Sequence, residues 1–459
     1  MKQEADRVME DKNIKMAERI ASRVEQEGGR AYYVGGFVRD RLLGKDNKDI
    51  DIEIHGVTPA VMESILNSLG KRTEMGKDFG IYGLKGYDVD IAMPRKEEAI
   101  GRGHKDFTVF VDPFLGTEKA ARRRDFTMNA LMQDVLTGEV IDHFGGVEDL
   151  KKGILRHVNA ATFVEDPLRV LRAGQFAARF NFVVAQETIE LCKTMDLIAL
   201  ARERIMGELE KALLKADHPS VFFVEMKKME QLDTWFPEVK QLIGVMQNER
   251  YHPEGDVWNH TMLVLDEAAK LKKYAENPLG FMLAALTHDF GKVLTTTIEN
   301  GRIRSIGHET EGLPMIRTFI RRVTSENKLL KYVLNMDELH MLPYRLASQN
   351  AGKKSTNRMF DRSMDPQGLI YLARADRLGR TGAVRDQEAE QFLEERLEYF
   401  REIMARPYVM GADLVAAGLQ PGPEFSEILA YAHKLRLAGI EKEEALKQTL
   451  AYASSVNIK

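Results

Sequence analysis

The sequence predicts an α+β protein, with a mixed sheet and helices in the first third and an all-helical remainder. Two patterns predict it. Short β-branched and aromatic runs bounded by glycine, proline or charge read as strands: AYYVGG (31–36), DIDIEI (49–54), FGIYGL (79–84), YDVDIAM (87–93) and FTVFVDPF (107–114). All precede residue 145. Beyond it strand signals fade, and DPLRVLRAGQFAARF (166–180) and ARERIMGELEKALLKA (201–216) carry apolar residues at helical spacing. A chain of 459 residues exceeds the usual single-core limit, so two to four domains are expected.

Taken in order, residues 1–28 read as a charged amphipathic helix stopped by Gly28-Gly29, and from Ala31 to about Val140 helix and strand alternate. A break at YHPEGDVW (251–258) opens a helical block that runs to RADRLGR (374–380) and is rich in histidine. A charged helix, QEAEQFLEERLEYFREIMAR (387–406), then leads through the turn LQPGPEF (419–425) to a last helix pair. The expected domains are 1–145, 146–240, 241–380 and 381–459. No internal repeat of solenoid length is present.

Composition narrows the function classes. A hydrophobic fraction of 44% with 30% charged residues describes a globular chain. The single cysteine, Cys192, excludes an intramolecular disulfide framework and a cysteine-clustered zinc site, which fits a reducing, cytoplasmic address. The polar N-terminus is no signal peptide, and no run of eighteen apolar residues occurs, so no membrane role is expected. With 66 basic and 70 acidic residues, any nucleic-acid binding must use a local face.

Within GGFVRDRLLGKDNKDIDIEI (35–54), Val34-Gly35-Gly36 ends a strand and opens a short helix. Glycines there let backbone approach a phosphate, the helix N-terminus offers free N–H groups, and Arg39 adds charge. An ordinary turn is the plainer reading of the glycine pair alone. Asp49 and Asp51 fall on one face of a strand, roughly 7 Å apart at about 3.3 Å per residue, with isoleucines on the other; Asp90 in the strand YDVDIAM completes a candidate triad. Hard carboxylate ligands in this number suit Mg²⁺, and a two-metal clamp about 4 Å across activates an attacking hydroxyl and stabilises a leaving pyrophosphate. The reaction class is nucleotidyl transfer.

GGFVRD, KDIDIEI, RRRDFTMNAL (122–131), EDPLRVLRAGQFAARF (165–180) and ERIMGELEKAL (203–213), in that order, resemble the successive motifs of the class II tRNA nucleotidyltransferase (CCA-adding) and bacterial poly(A) polymerase family. The resemblance implies a polymerase-β-like head followed by helical neck, body and tail. It implies Asp49, Asp51 and Asp90 as catalytic carboxylates, with Mg²⁺ on Asp49 and Asp51. Gly35, Gly36, Arg39, Arg124, Asp125, Asn129, Asp166, Arg169 and Arg172 would bind the nucleotide. The implied substrates are ATP, CTP and tRNA, gripped by shape and backbone. MGKDFGIYG (75–83) is more similar to the CCA-adding than to the poly(A) version. Two positions depart from the family: alanines at 120 and 121 where many relatives carry an acid before RRD, and Gln175 where many carry arginine.

Pro167 suits a helix start, which places Asp166 and Arg169 at i and i+3 on one helical face. An acceptor beside a fork of donors matches the pairing edges of cytosine and adenine and opposes those of uracil and guanine. The family is believed to choose CTP and ATP in this way, without a template. An ordinary surface ion pair fits the spacing equally well.

FMLAALTHDFGK (281–292) reads as an apolar helix that carries His288-Asp289 and stops at Gly291. With His260 upstream and Asp376 downstream, the order resembles the HD phosphohydrolase superfamily, and His308 and His340 fall where two-metal members place extra ligands. An unidentified divalent metal and water attack on a phosphoester are implied. Three readings follow: CCA addition with an HD side activity; a poly(A), CC-only or A-only polymerase; or an HD phosphohydrolase whose head only binds RNA.

Overall fold

The computed structural model describes residues 2–47, 49–74, 81–99 and 107–455. It divides into two compact units, residues 1–200 with 224–231, and residues 201–223 with 232–459.

In the first unit, α1 (Lys2–Gln26) is stopped by Gly28, and β1 (Arg30–Val34) follows. Then come α2 (Gly36–Leu42), β2 (Ile50–His55) and α3 (Pro59–Leu69), whose start is set by Pro59 and by Thr58 accepting the Val61 N–H. Next are β3 (Arg72–Glu74), β4 (Tyr82–Leu84) and β5 (Val89–Ala92). The strands β6 (Arg95–Ala99) and β7 (Phe107–Val111) pair only with each other. After α4 (Thr117–Arg122) the chain returns as β8 (Met132–Asp134) and β9 (Val140–Ile141), completing a seven-stranded mixed sheet in the order β3-β4-β5-β2-β1-β8-β9.

The sheet is built around β2, antiparallel to β1 and parallel to β5. Ile50, Ile52 and Ile54 are buried while Asp49 is exposed and Asp51 and Glu53 are only half-buried, as the alternation predicts. On the apolar side Met16, Ile20 and Val24 of α1, spaced four apart, and Met62 and Leu66 of α3 are buried. The predicted strands 31–36, 49–54, 79–84, 87–93 and 107–114 each overlap an observed one with shifted ends; residues 79 and 80 of the third run lie outside the described residues. The pattern reading missed β3, β6, β8 and β9, which are short or, like RKEEA, charged at four of five positions, and past residue 145 it missed the two-residue parallel pair Ile154–Leu155 with Val183–Val184.

The first unit continues as α5 (Gly146–Lys152), α6 (Ala160–Phe163) and α7 (Leu168–Phe180). Asp166 stands before the N-cap Pro167 rather than inside the helix, which corrects the i,i+3 placement: its Oδ1 accepts the Leu168 N–H, so this carboxylate closes the helix start.

The second unit is helical, with one exception the sequence reading missed. Thr296–Glu299 and Arg302–Ser305 form an antiparallel hairpin. Its turn, Asn300-Gly301, has φ of 50° and 70°, the type I′ geometry that Asn-Gly favours. The apolar helix before it, Pro278–Thr287, ends one residue ahead of His288, so His288 and Asp289 sit on the turn leaving the helix instead of on its face.

Candidate active sites

In the first unit the register pairs Asp51 with Asp90 across parallel strands. Asp49 precedes β2 at the same parity, its N–H held by Asn47 Oδ1 at 3.0 Å. Burial pushes the Asp51 carboxyl up to about 6; Arg124 opposes the rise, and Asp90 and Asp49 add to it. Asp90 is pushed up as well, by burial and then by Asp88 and Asp49. Two carboxylates whose proton affinity burial and acidic neighbours raise, with Asp49 beside them, are a donor set that a hard divalent cation would relieve, so these residues fit Mg²⁺. Gly35, in the left-handed region at φ 66°, borders the same space: a Cβ there would meet Arg124 Nη1 at 3.1 Å and Asp51 Oδ2 at 3.9 Å.

Glu53, next in the row, is taken up by His55 and Arg124. Its Oε1 lies 2.8 Å from His55 Nε2 and its Oε2 3.6 Å from Arg124 Nη2; although burial raises its pKa, the net shift is downward through His55 and Arg124. Arg124 is thereby aimed along a cavity of about 320 Å³ that Arg95, Arg123 and Arg169 also line. Four guanidiniums around one cavity suit a polyphosphate. The sequence reading found two of them, and the repeated arginine of RRRD was the signal for Arg123. Arg169 is not free to fork: it donates from Nη1 to Thr162 O at 2.6 Å and from Nη2 to Arg123 O at 2.7 Å.

Several predicted nucleotide ligands form a buried polar chain instead. Arg39, 4% exposed, donates to Asp40 Oδ1 and to Asn129 Oδ1, both at 2.7 Å, under the rings of Phe176 and Phe180. Asn129 donates to Asp125 at 3.0 Å, and Arg172 donates to Asp125 Oδ2 at 2.7 Å. Burial alone would raise Asp125, but Arg172 and Asn129 hold it low. This chain ties α2 to α7, so Arg39, Asp125 and Asn129 are placed to position those elements. The family departures are interior too. Ala120 and Ala121 pack with Tyr32, Val34 and Met132, Ala121 buried and Ala120 also on the arginine-lined cavity, and Gln175 is 1% exposed with its Nε2 unpaired among the described residues.

In the second unit His260, His288, Asp289, His308, His340 and Asp376 converge. His260 Nε2 lies 3.0 Å from Asp376 Oδ1 and 3.6 Å from Asp289 Oδ2; His288 Nε2 lies 3.3 Å from Asp289 Oδ2, and His308 Nε2 3.3 Å from Asp289 Oδ1. Three trios each gather one ligand atom per residue within 4.8 Å: His260-His288-Asp289 and Asp289-His308-His340, which share Asp289, and His252-Glu254-His260, which shares His260. The rings are held from behind. His288 Nδ1 donates to Ala285 O at 3.0 Å, His308 Nδ1 to Ser305 O at 2.9 Å and His340 Nδ1 to Asp337 O at 2.6 Å, each three residues back. Neutral rings so tethered turn lone pairs forward, and the Nε2 atoms of His308 and His340 face each other at 3.3 Å. Among the described residues His288 Nε2 gains no aligned hydrogen bond. Opposed lone pairs and an unanswered buried ring nitrogen are what a divalent transition metal satisfies, so this set fits one.

The surroundings sharpen the site. Gly291 lets two backbones touch, because a Cβ there would lie 2.0 Å from His308 O and 2.9 Å from Gly312 N. Burial alone would raise Asp289 and Asp376, yet His288 and Lys292 hold the first far down, and His260 and Arg380 the second. Burial pushes His340 down to about 3. Sequence reasoning missed Lys292, whose Nζ lies 2.6 Å from Asp289 Oδ2 and donates to Gln247 at 2.7 Å. It also missed Glu254 and His252 in the YHPEGD break, where polar side chains in a turn gave the only signal.

The family described as the poly A polymerase head domain matches residues 31–156, and the HD domain family matches residues 257–381. Curated relatives named Multifunctional CCA protein include one from Nitrosococcus oceani, 36% identical over 85% of this chain and 93% of its own, and one from Stenotrophomonas maltophilia, 36% identical over 89% of this chain and 99% of its own. Among solved structures, a CCA-adding enzyme with ATP superposes with a TM-score of 0.67 at 21% identity, covering 98% of this chain and 95% of that one. A Thermotoga maritima CCA-adding enzyme complexed with tRNA gives 0.62 at 22% identity, covering 95% of each. At those identities the structures attest the fold, while the relatives, matched nearly end to end, attest the family: the chain belongs to the multifunctional CCA proteins, with a poly A polymerase head and an HD domain.

Proposed function

We propose that this chain adds CMP and AMP from CTP and ATP to the 3′ end of tRNA, as a metal-dependent nucleotidyltransferase. The observation that carries the reading is Asp51 in register with Asp90, beside Asp49 and next to Gly35 and Arg124. Asp49, Asp51 and Asp90 would hold Mg²⁺, which lowers the cost of ionising the 3′-hydroxyl and of releasing pyrophosphate. Arg95, Arg123 and Arg124 take the triphosphate, Gly35 keeps that approach open, and the Arg39–Asn129–Asp125–Arg172 chain keeps α2 and α7 in place. Asp166 remains the candidate base reader, an acceptor at the mouth of α7. We assign residues 1–145 to the head, 146–240 to neck and body, 241–380 to the HD domain and 381–459 to the tail. No described helix is long and apolar enough to cross a membrane, and we place the enzyme with its substrate in the cytoplasm.

The test incubates the chain with Mg²⁺ and tRNA transcripts ending before CCA, after C and after CC, with CTP and ATP singly and together. Addition of C, C and A followed by a stop supports the reading. A ladder of A marks a poly(A) polymerase, and a halt at CC or addition to CC ends alone marks a partial enzyme. The motif that separates these in the sequence, MGKDFGIYG, has residues 75–80 outside the described residues.

The histidine cluster favours a second activity at a separate centre: hydrolysis of a phosphoester at a metal held by His260, His288, Asp289 and Asp376, with His308 and His340 beside it. The ion supplies Lewis acidity to the phosphoryl group. Release of phosphate from small phosphomonoesters and opening of cyclic phosphodiesters, under a series of divalent ions, tests it.

A further inference from the structure

The side chains of the histidine centre border two cavities. The smaller, about 250 Å³, is lined by Asp289 and His308, and the larger, about 680 Å³, by His340. Met341, Asp376 and Arg380 line both, so the cavities adjoin at a seam that contains a member of the candidate ligand set. Rings stand on both sides of it: Tyr251 in the smaller cavity, Tyr344 and Phe392 in the larger. Each is faced by a guanidinium, Arg250 at 5.7 Å from the Tyr251 centroid, Arg377 at 5.4 Å from Tyr344 and Arg396 at 4.7 Å from Phe392. A cation over one face of a ring leaves the other for a flat partner, and every nucleobase can stack on such a face. The seam itself is cationic. Arg380 Nη2 lies 3.6 Å from Asp376 Oδ2, too far for a hydrogen bond, and the buried Arg380 Nε has no partner among the described residues. Exposed Arg345, on the larger cavity, makes no ion pair among the described residues.

We infer that the histidine centre takes an open-chain phosphodiester with a nucleoside on either side, one in each cavity, and its bridging phosphate against Arg380. The inference rests on the phosphohydrolase reading above and names its substrate class. The larger cavity falls within the range of about 300–1,000 Å³ that small ligands occupy and holds a nucleoside whole; the smaller, below that range, takes a base against exposed Tyr251. A small phosphomonoester or a cyclic phosphodiester fills one side only and forgoes the stacking on the other. In the reaction the oxygen of water bonds to phosphorus, and the P–O bond to one ribose oxygen breaks with its electron pair on that oxygen. The proton given up by water ends there, so a nucleoside monophosphate and a nucleoside leave. Tyr344 and Phe392 set specificity: they meet the bound base and not the reacting atoms.

The experiment uses the full-length chain loaded with Mn²⁺ or Ni²⁺ and two probes, the dinucleotide adenylyl-(3′→5′)-adenosine and p-nitrophenyl phosphate. Wild type should split the dinucleotide into adenosine and an adenosine monophosphate, with a KM at least tenfold below that for p-nitrophenyl phosphate. Tyr344→Leu and Phe392→Leu, which keep apolar bulk and remove the ring, should each raise the KM for the dinucleotide about tenfold, and Tyr344→Phe, which keeps the ring, should restore it. A reading independent of turnover comes from the metal-free chain in EDTA. There the ¹³C-labelled methyl of Met341, identified by its loss in Met341→Leu, should shift on adding the dinucleotide. A dinucleotide left intact by a chain that hydrolyses p-nitrophenyl phosphate, a KM that neither leucine variant moves, or a Met341 methyl that stays in place overturns the inference alone. A wild type that hydrolyses neither probe overturns the phosphohydrolase reading and the inference with it.

Discussion

Replacing Asp51 with asparagine should make the metal-free head more stable while it destroys nucleotide transfer. Burial and the neighbouring Asp90 and Asp49 move this carboxyl from 3.8 to about 6, so the folded chain holds the proton more tightly than the unfolded one. Unfolding free energy therefore falls as pH rises from about 4 to 6, and the whole cost stands above 6. At about 1.4 kcal/mol for each tenfold change in proton affinity, it amounts to at most about 3 kcal/mol at pH 8 and about 1 at pH 4.5. Asn removes the charge and keeps the shape, so Asp51→Asn should gain about that much at each pH in EDTA, and Mg²⁺ should stabilise wild type but not the variant. Exchange of the β2 and β5 amides under increasing urea reads this region separately from the helical unit. Equal gains at both pH values, or a loss at pH 8, would refute the argument that like charges and burial set this carboxyl.

Further outcomes follow from the same geometry. His288→Ala with Asp289→Ala should abolish phosphoester hydrolysis and leave CCA addition intact, whereas Asp49→Ala with Asp51→Ala should do the reverse; loss of both activities in folded protein from either pair would break the two-centre picture. Asp166→Asn keeps an acceptor for the Leu168 N–H but adds a donor, so misincorporation of UMP should rise at least tenfold with an unchanged melting point, while Asp166→Ala should also lose about 1 kcal/mol for the missing helix-start bond. Gln175→Met replaces a buried, half-satisfied amide by an apolar chain of similar size and should raise stability by about 1–2 kcal/mol; a decrease would mean the amide has a partner in solution. Gly291→Ala forces a methyl group against His308 O, and the expected result is loss of metal from the histidine centre, read by metal analysis of the purified chain.

Where one residue type did one physical job, the sequence was readable. Isoleucines alternating with aspartates can satisfy only a half-buried strand, and so β2, the side of the sheet that carries Asp51, and the pairing theme with Asp90 were legible before any coordinates. The six side chains that converge in the histidine centre were legible as an ordered set, because imidazole and carboxylate gathered in an apolar helical stretch have few other uses. What failed to show were jobs settled by tertiary neighbours. Arg39 and Asp125 look like phosphate ligands until Asn129 and Arg172 are seen to occupy them. Arg169 reads as a fork for a base until two backbone carbonyls take its donors. Glu254 and His252 sit in an irregular break where periodicity carries no information. The hairpin at Asn300-Gly301 is a different case, since its turn signal was present and was outweighed by the helical stretches around it.

The backbone tethers behind His288, His308 and His340 bear on how this centre would take up a divalent ion. Each ring is locked by a carbonyl of its own turn, so the coordination shape exists before the ion arrives and outlasts its departure. Loading then requires little ordering of the chain, and the stability gained on binding should follow RT ln(1 + [metal]/Kd) without a folding penalty hidden inside Kd. A centre so built would exchange one divalent ion for another without refolding, so that which ion it held would follow supply as much as design.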